Sequence, residues 1–242
     1  MKGVCRLCKK EKELKKSHII PKFCYDEMRN EKGRKEILEI PENDKEKKSQ
    51  DGWKEYLLCA DCEQQLSAYE SYLGRAFKDY LWKDAKPFCF SNGQQADFGK
   101  YRKANIRYEK FFMGIISIFW RLSVSKTTKY DIRLGPYKDK LEEILNRNLI
   151  LYQDQIKLLI FKLKLRNDEL NDLILYRGKS RFSNSHLAQN IWLMGYSIYM
   201  VLGNGRIEAE ELCLKESGDL YVCECEVEKL KDFKRLCNMF TS

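Results

Sequence analysis

Hydrophobic and polar positions divide the chain into stretches of unlike character. The run Arg107-Tyr-Glu-Lys-Phe-Phe-Met-Gly-Ile-Ile-Ser-Ile-Phe-Trp-Arg-Leu122 is apolar on nearly every side, the pattern of a buried central helix. Gly135-Pro136 opens another helix, since proline is tolerated in a first turn, and Leu141, Ile144 and Leu145 then share one face up to Arg147. Beyond Leu149 the segments 155–165 and 191–202 are rich in β-branched, aromatic and long aliphatic residues and predict strands. Gly203-Asn-Gly205 supplies a turn after the second, and Leu220-Tyr-Val-Cys-Glu-Cys225 alternates as a further strand. Val227, Leu230, Phe233, Leu236 and Phe240 recur at three and four, which predicts a terminal amphipathic helix over 227–240. Nearer the N-terminus, Leu57-Leu58-Cys59 reads as a short strand and the polar stretch 43–52 as an exposed loop. No period of 20 to 50 residues repeats, so the chain reads as α+β and not as a solenoid.

Composition narrows the class. With 43% apolar and 33% charged residues over 242 positions, the chain belongs with globular proteins and is long enough to bury a core without crosslinks. The longest apolar stretch, within 111–124, is broken by Arg121 and is shorter than the roughly 18 to 20 residues that span a bilayer, so no membrane association is expected. Met1-Lys-Gly-Val-Cys-Arg-Leu-Cys8 is basic and lacks the apolar stretch of a secretory signal, which predicts a reducing, cytoplasmic setting. The ten cysteines are then expected to hold metal or remain thiols.

Charge adds a partner class. The 45 basic and 36 acidic residues give +9, and the excess is central: residues 75–147 carry 16 basic and 8 acidic groups, net +8, whereas 148–242 balance at 13 and 13. Such a segment attracts a polyanion through phosphate neutralisation, although a solvated lysine-rich surface has the same composition.

The sharpest chemical signal is a pair of C-x2-C motifs, Cys5-Arg-Leu-Cys8 and Cys59-Ala-Asp-Cys62. United by the fold, they supply four thiolates for a closed structural Zn²⁺ site; the alternatives are two separate reduced pairs or a redox pair in either motif. The segment between the pairs is too long for a simple zinc ribbon and must form a folded excursion. It opens on Ser17-His18-Ile-Ile-Pro21-Lys22, placing one of two histidines ten residues after Cys8. With four sulfurs completing the tetrahedron, this imidazole is left for proton transfer. Cys24, Cys89, Cys213 and Cys237 stand alone as small core residues, and Cys223 and Cys225 point alike from one strand face. Trp120 and Trp192 are expected in the core, Trp53 is near enough to a turn to stack on a base, and His186 lies in a segment far from the motifs.

Taken together, Cys5-Arg-Leu-Cys8, His18-Ile-Ile-Pro21 and Leu58-Cys59-Ala-Asp-Cys62 resemble the HNH nucleases, whose ββα-metal fold is built around a zinc-binding treble clef. The match covers about the first 75 residues. Ser-His-Ile-Ile-Pro-Lys-Phe23 and Leu57-Leu-Cys-Ala-Asp-Cys-Glu63 are similar, more narrowly, to bacterial HNH-like proteins of phage-defence loci. The resemblance implies an N-terminal zinc-stabilised module over 1–75, then a basic helical region over 76–148 and an α+β, strand-rich region with a terminal helix over 149–242. It further implies DNA phosphodiester hydrolysis with Mg²⁺ or Mn²⁺, in which His18 is the general base, and a role as an effector of anti-phage defence with a protein partner.

Two positions depart from the family pattern. Ser17 stands where Asp or His commonly precedes the base, and Glu63 stands where His or Asn commonly follows the second cysteine of the second pair. The remaining oxygen ligands for a catalytic cation are Glu63 and Glu70, seven apart on one helix face, and Asp51, near the family's middle asparagine. Lys22, Lys54 and Arg75 are the groups placed to hold a phosphate. The alternative is a recognition subunit that keeps the zinc fold, has lost catalysis, and binds nucleic acid or protein.

Overall fold

A computed structural model describes residues 1–26, 28, 37–39, 47–49, 51–80, 86–87, 100–103, 105–126, 132–164, 174–182, 186–207 and 210–229. The described residues form a mixed α+β fold with three α-helices, a three-stranded sheet, a seven-stranded sheet and a two-stranded ribbon. In chain order the strands are β1 (Lys2–Val4), β2 (Glu11–His18), β3 (Ile37–Glu39), β4 (Lys47–Ser49) and β5 (Lys54–Cys59). Helix α1 (Ala60–Arg75) and a π-helical turn (Ala76–Tyr80) follow, then β6 (Lys86–Pro87), β7 (Lys100–Lys103), α2 (Tyr108–Val124) and α3 (Tyr137–Arg147). The rest comprises β8 (Ile156–Lys164), β9 (Leu175–Phe182), β10 (His186–Leu193), β11 (Tyr196–Leu202) and β12 (Leu220–Glu226).

The N-terminal sheet has the order β1-β2-β5 and is antiparallel throughout, with His18 opposite Lys54 and Leu14 opposite Cys59. Strand β2 is charged along most of its length, and only Leu14 and Ser17 turn into the core. Its backbone is nevertheless paired on both sides, which is what holds so polar a segment extended. The segment 43–52 contains β4, paired with β3, so it is not loop throughout.

Helix α2 forms the centre, as its all-round apolar sequence demands: every residue from Phe111 to Leu122 is buried, including Arg121. It packs on α1 and α3, and the face of α3 made by Leu141, Ile144 and Leu145 is buried as the spacing predicts. Phe77, just past α1, meets Phe111 of α2 and Tyr196 of β11 at ring-centroid distances of 5.8 and 5.2 Å. One hydrophobic cluster therefore runs from Cys5 to Val222 and joins the small sheet to one face of the large one.

The large sheet has the order β6-β7-β12-β8-β11-β10-β9. The expected strand over 191–202 is two strands, because Met194 and Gly195 take φ of 52° and 75° and close a two-residue hairpin between β10 and β11. The continuous run of apolar residues conceals that turn. A smaller cluster of Leu159, Ala188, Val201, Ile207 and Cys213 covers the opposite face. His186 is 4% exposed, with Nε2 2.8 Å from the Asn204 carbonyl oxygen, so it braces the turn at 203–205. Trp120 and Trp192 are in the core, whereas Trp53 is partly exposed and packs against it. Val227–Lys229 form a single 3₁₀ turn, and the remainder of the expected terminal helix lies outside the described residues, as do Cys89 and Cys237. Among the described residues no helix is long and apolar enough to cross a membrane.

Candidate metal centre and the histidine beside it

The first cysteine pair lies on a tight reversal between β1 and β2. Lys9 takes φ 59°, its amide donates to the Cys5 carbonyl at 3.0 Å, and the Cys5 amide donates to the Lys10 carbonyl at 3.0 Å. The Arg6 amide donates to Leu57 O at 3.0 Å and fastens this reversal to β5. The second pair lies where β5 becomes α1: Cys59 is the extended N-cap residue and Cys62 occupies the first turn. Amide groups at a helix N-terminus favour negative charge, so both thiolates gain from that position.

These elements bring the four Sγ atoms of Cys5, Cys8, Cys59 and Cys62 within 4.8 Å of one another. Zinc–sulfur bonds of about 2.3 Å require tetrahedral S···S edges of about 3.8 Å. The Cys8–Cys59 separation is 3.8 Å, and the Cys59 amide also donates to Cys5 Sγ at 3.4 Å. Burial and the neighbouring sulfurs hold the Cys62 thiol well above its ordinary value, a situation that a bound cation reverses by favouring thiolate. Donor type, spacing and burial all suit a metal such as zinc.

His18 ends β2, at the opposite end of the β2–β5 pairing from Cys59. Its ring is half-buried, and burial lowers its pKa from 6.5, with Lys54 lowering it further. Asp51, close beside the ring, raises the pKa against that trend, while Nε2 is enclosed and has no hydrogen-bond partner. The turn after Asp51 depends on Gly52, whose φ is +65° and whose missing Cβ would stand 2.4 Å from Cζ of Tyr25. The Tyr25 and His18 rings are 6.4 Å apart. Asp51 and Lys54 form an ion pair of 2.7 Å across the same turn.

Behind His18 lies a group that sequence reasoning missed. Arg121, 1% exposed on the otherwise apolar α2, donates from Nη1 to the His18 carbonyl at 3.3 Å. It forms a close ion pair with Glu70 and a longer one of 4.0 Å with Glu63. Burial raises the Glu70 pKa from 4.5 although Arg121 pulls the other way. The signal was present in the sequence, since a charge inside an all-apolar helix has to find partners in the core.

Of the residues expected to serve a catalytic cation, Glu63 and Glu70 thus face Arg121 and Asp51 faces Lys54. Among the described residues no group of three or more His, Cys, Asp or Glu assembles as the four cysteines do. Of the phosphate candidates, Lys22 and Arg75 line one groove beside α1, and Lys54 stands apart from them next to His18.

No family model matches the chain, and no matching curated protein or solved structure was found.

Proposed function

We propose that the chain is an HNH-like endonuclease: a ββα unit of β2, β5 and α1, organised as a zinc-binding treble clef, presents His18 as general base toward a DNA phosphodiester. The observation that carries this reading is the state of the imidazole. Burial and Lys54 lower its pKa from 6.5, which favours the neutral ring at pH 7, and the enclosed Nε2 is left without a partner. A buried acceptor nitrogen with nothing to accept is costly unless some function uses it. Because Nε2 is enclosed, water and substrate reach it only after an opening motion around the ring.

In this reading the chain's own residues do limited work. Burial and Lys54 keep His18 unprotonated, and Arg121 holds its backbone. A divalent cation would supply neutralisation of charge on the scissile phosphate. The four thiolates supply rigidity and no chemistry at the phosphate. The proposed setting is bacterial anti-phage defence, with a protein partner in an effector complex and a cytoplasmic location.

A second reading, a recognition subunit without catalysis, is favoured by one observation: Arg121 already occupies Glu63 and Glu70. Incubating the purified protein with supercoiled plasmid in Mg²⁺, Mn²⁺ or EDTA separates the two. Nicking or linearisation that EDTA abolishes is the expected result. Plasmid that is bound but stays intact in both cations favours the recognition subunit.

A further inference from the structure

Lys22, Arg75 and Lys78 come from two elements that are distant in sequence, the 3₁₀ turn Lys22–Tyr25 after β2 and the end of α1 with its π-helical extension. They converge on a groove of about 360 Å³ that Phe23, Ser67, Ser71 and Gly74 also line. The groove is cationic by construction. Its lining carries three basic side chains against the carboxylates of Asp26 and Glu70, with Asp26 pairing with Lys22 at 3.2 Å and with Lys78 at 3.9 Å. Arg75 is exposed and has no ion pair among the described residues. Glu70 also lines the groove, but its charge is matched by Arg121. Ser67 and Ser71, one turn apart on α1, add hydroxyl donors, and the half-buried Phe23 adds an aromatic wall.

We propose that this groove is a backbone-binding subsite for DNA, holding a phosphate of the same strand that passes His18. The proposal rests on the nuclease reading for that strand's path and on the groove alone for its binding chemistry. Guanidinium and ammonium groups with hydroxyl donors hold phosphate oxygens, and an aromatic wall accepts a sugar or a base without reading sequence. The link to His18 is short: the turn that carries Lys22 begins four residues after it, and Tyr25 of that turn faces the His18 ring.

The test compares two double variants of equal net charge in the full chain, Arg75→Gln/Lys78→Gln in the groove and Lys179→Gln/Arg181→Gln at exposed positions on β9. Fluorescence anisotropy with a labelled DNA duplex of about 20 base pairs, titrated at several salt concentrations, reads affinity and its salt slope. Removing two phosphate contacts should weaken binding about tenfold or more and reduce the salt slope by roughly 1 to 2, while the control pair changes both much less. Equal effects of the two pairs, or no DNA binding by the unaltered protein, overturn the subsite. The His18→Ala protein is titrated alongside. If it and the unaltered protein bind alike, neither cleaves, and only the groove pair weakens binding, the nuclease reading fails and the subsite stands. If the unaltered protein cleaves and the groove pair matches the control pair, the subsite alone fails.

Discussion

Replacing Arg121 with Met should be among the most damaging single changes to stability in this chain. The guanidinium is 1% exposed and sits between two carboxylates, with Glu70 the more deeply enclosed. Taking one partner from a buried ion pair leaves an uncompensated charge and costs about 3–5 kcal/mol. Urea unfolding at pH 7 measures that loss. The double variant Arg121→Met/Glu70→Gln removes the stranded charge as well and should recover about half of it, so the coupling is about 2 kcal/mol plus whatever Glu70→Gln costs alone. The sign of the pH dependence follows from Glu70. Its folded pKa is raised above 4.5, so the folded state holds a proton that the unfolded state releases, and this group's contribution to stability falls as pH rises above 4.5. In Arg121→Met the folded pKa rises further, so the deficit relative to the unaltered protein should grow between pH 5 and pH 8. An Arg121→Met cost under about 1 kcal/mol, the level of an ordinary surface change, or strict additivity with Glu70→Gln, would refute the assignment of this cluster as a coupled buried network.

Other consequences are equally concrete. Cys59→Ser should release bound metal, read as zinc per chain by mass spectrometry, and loosen the N-terminal sheet, read by amide exchange; structural Zn²⁺ contributes on the order of 10 kcal/mol. Gly52→Ala should cost about 1–3 kcal/mol, because φ is +65° and the new Cβ meets the Tyr25 ring, and Tyr25→Ala should relieve part of that cost in the double variant. The cleavage rate should be flat near pH 7 and fall on acidification below 6.5. The folded pKa of His18 is lowered, so the neutral base persists further into acid than a free histidine would. Lys54→Gln should shift that limb toward higher pH, since the Lys54 charge lowers the His18 pKa.

Legibility followed the physics of each segment. The buried α2, the α3 face and β8 were readable because apolar periodicity reports burial directly, and the two C-x2-C motifs told which four sulfurs meet. Strand β2 was not readable, because its extended form comes from backbone pairing with both neighbours and its side chains are mostly charged. The β10–β11 hairpin was hidden because both strands are buried on both faces, which removes alternation, and Met194 gives no turn signal. At the site, His18 and the cysteines stood out by residue type. The environment of His18 did not: Asp51 and Arg121 come beside it from positions 33 and 103 residues further along the chain, counted from residue 18 to residues 51 and 121. The partners of Glu63 and Glu70 were equally invisible, because a helix face shows which carboxylates lie together and not what lies opposite them.

The reading of His18 as the base is tested most directly by the single-turnover cleavage rate of a defined DNA duplex in Mg²⁺, measured for the unaltered protein and for His18→Ala at equal zinc content. Losing a general base lowers such a rate about 10²- to 10⁴-fold, and that is the expected fall. A folded, zinc-loaded His18→Ala protein that cleaves within about twofold of the unaltered rate, too small a change for the loss of a proton acceptor, would contradict it.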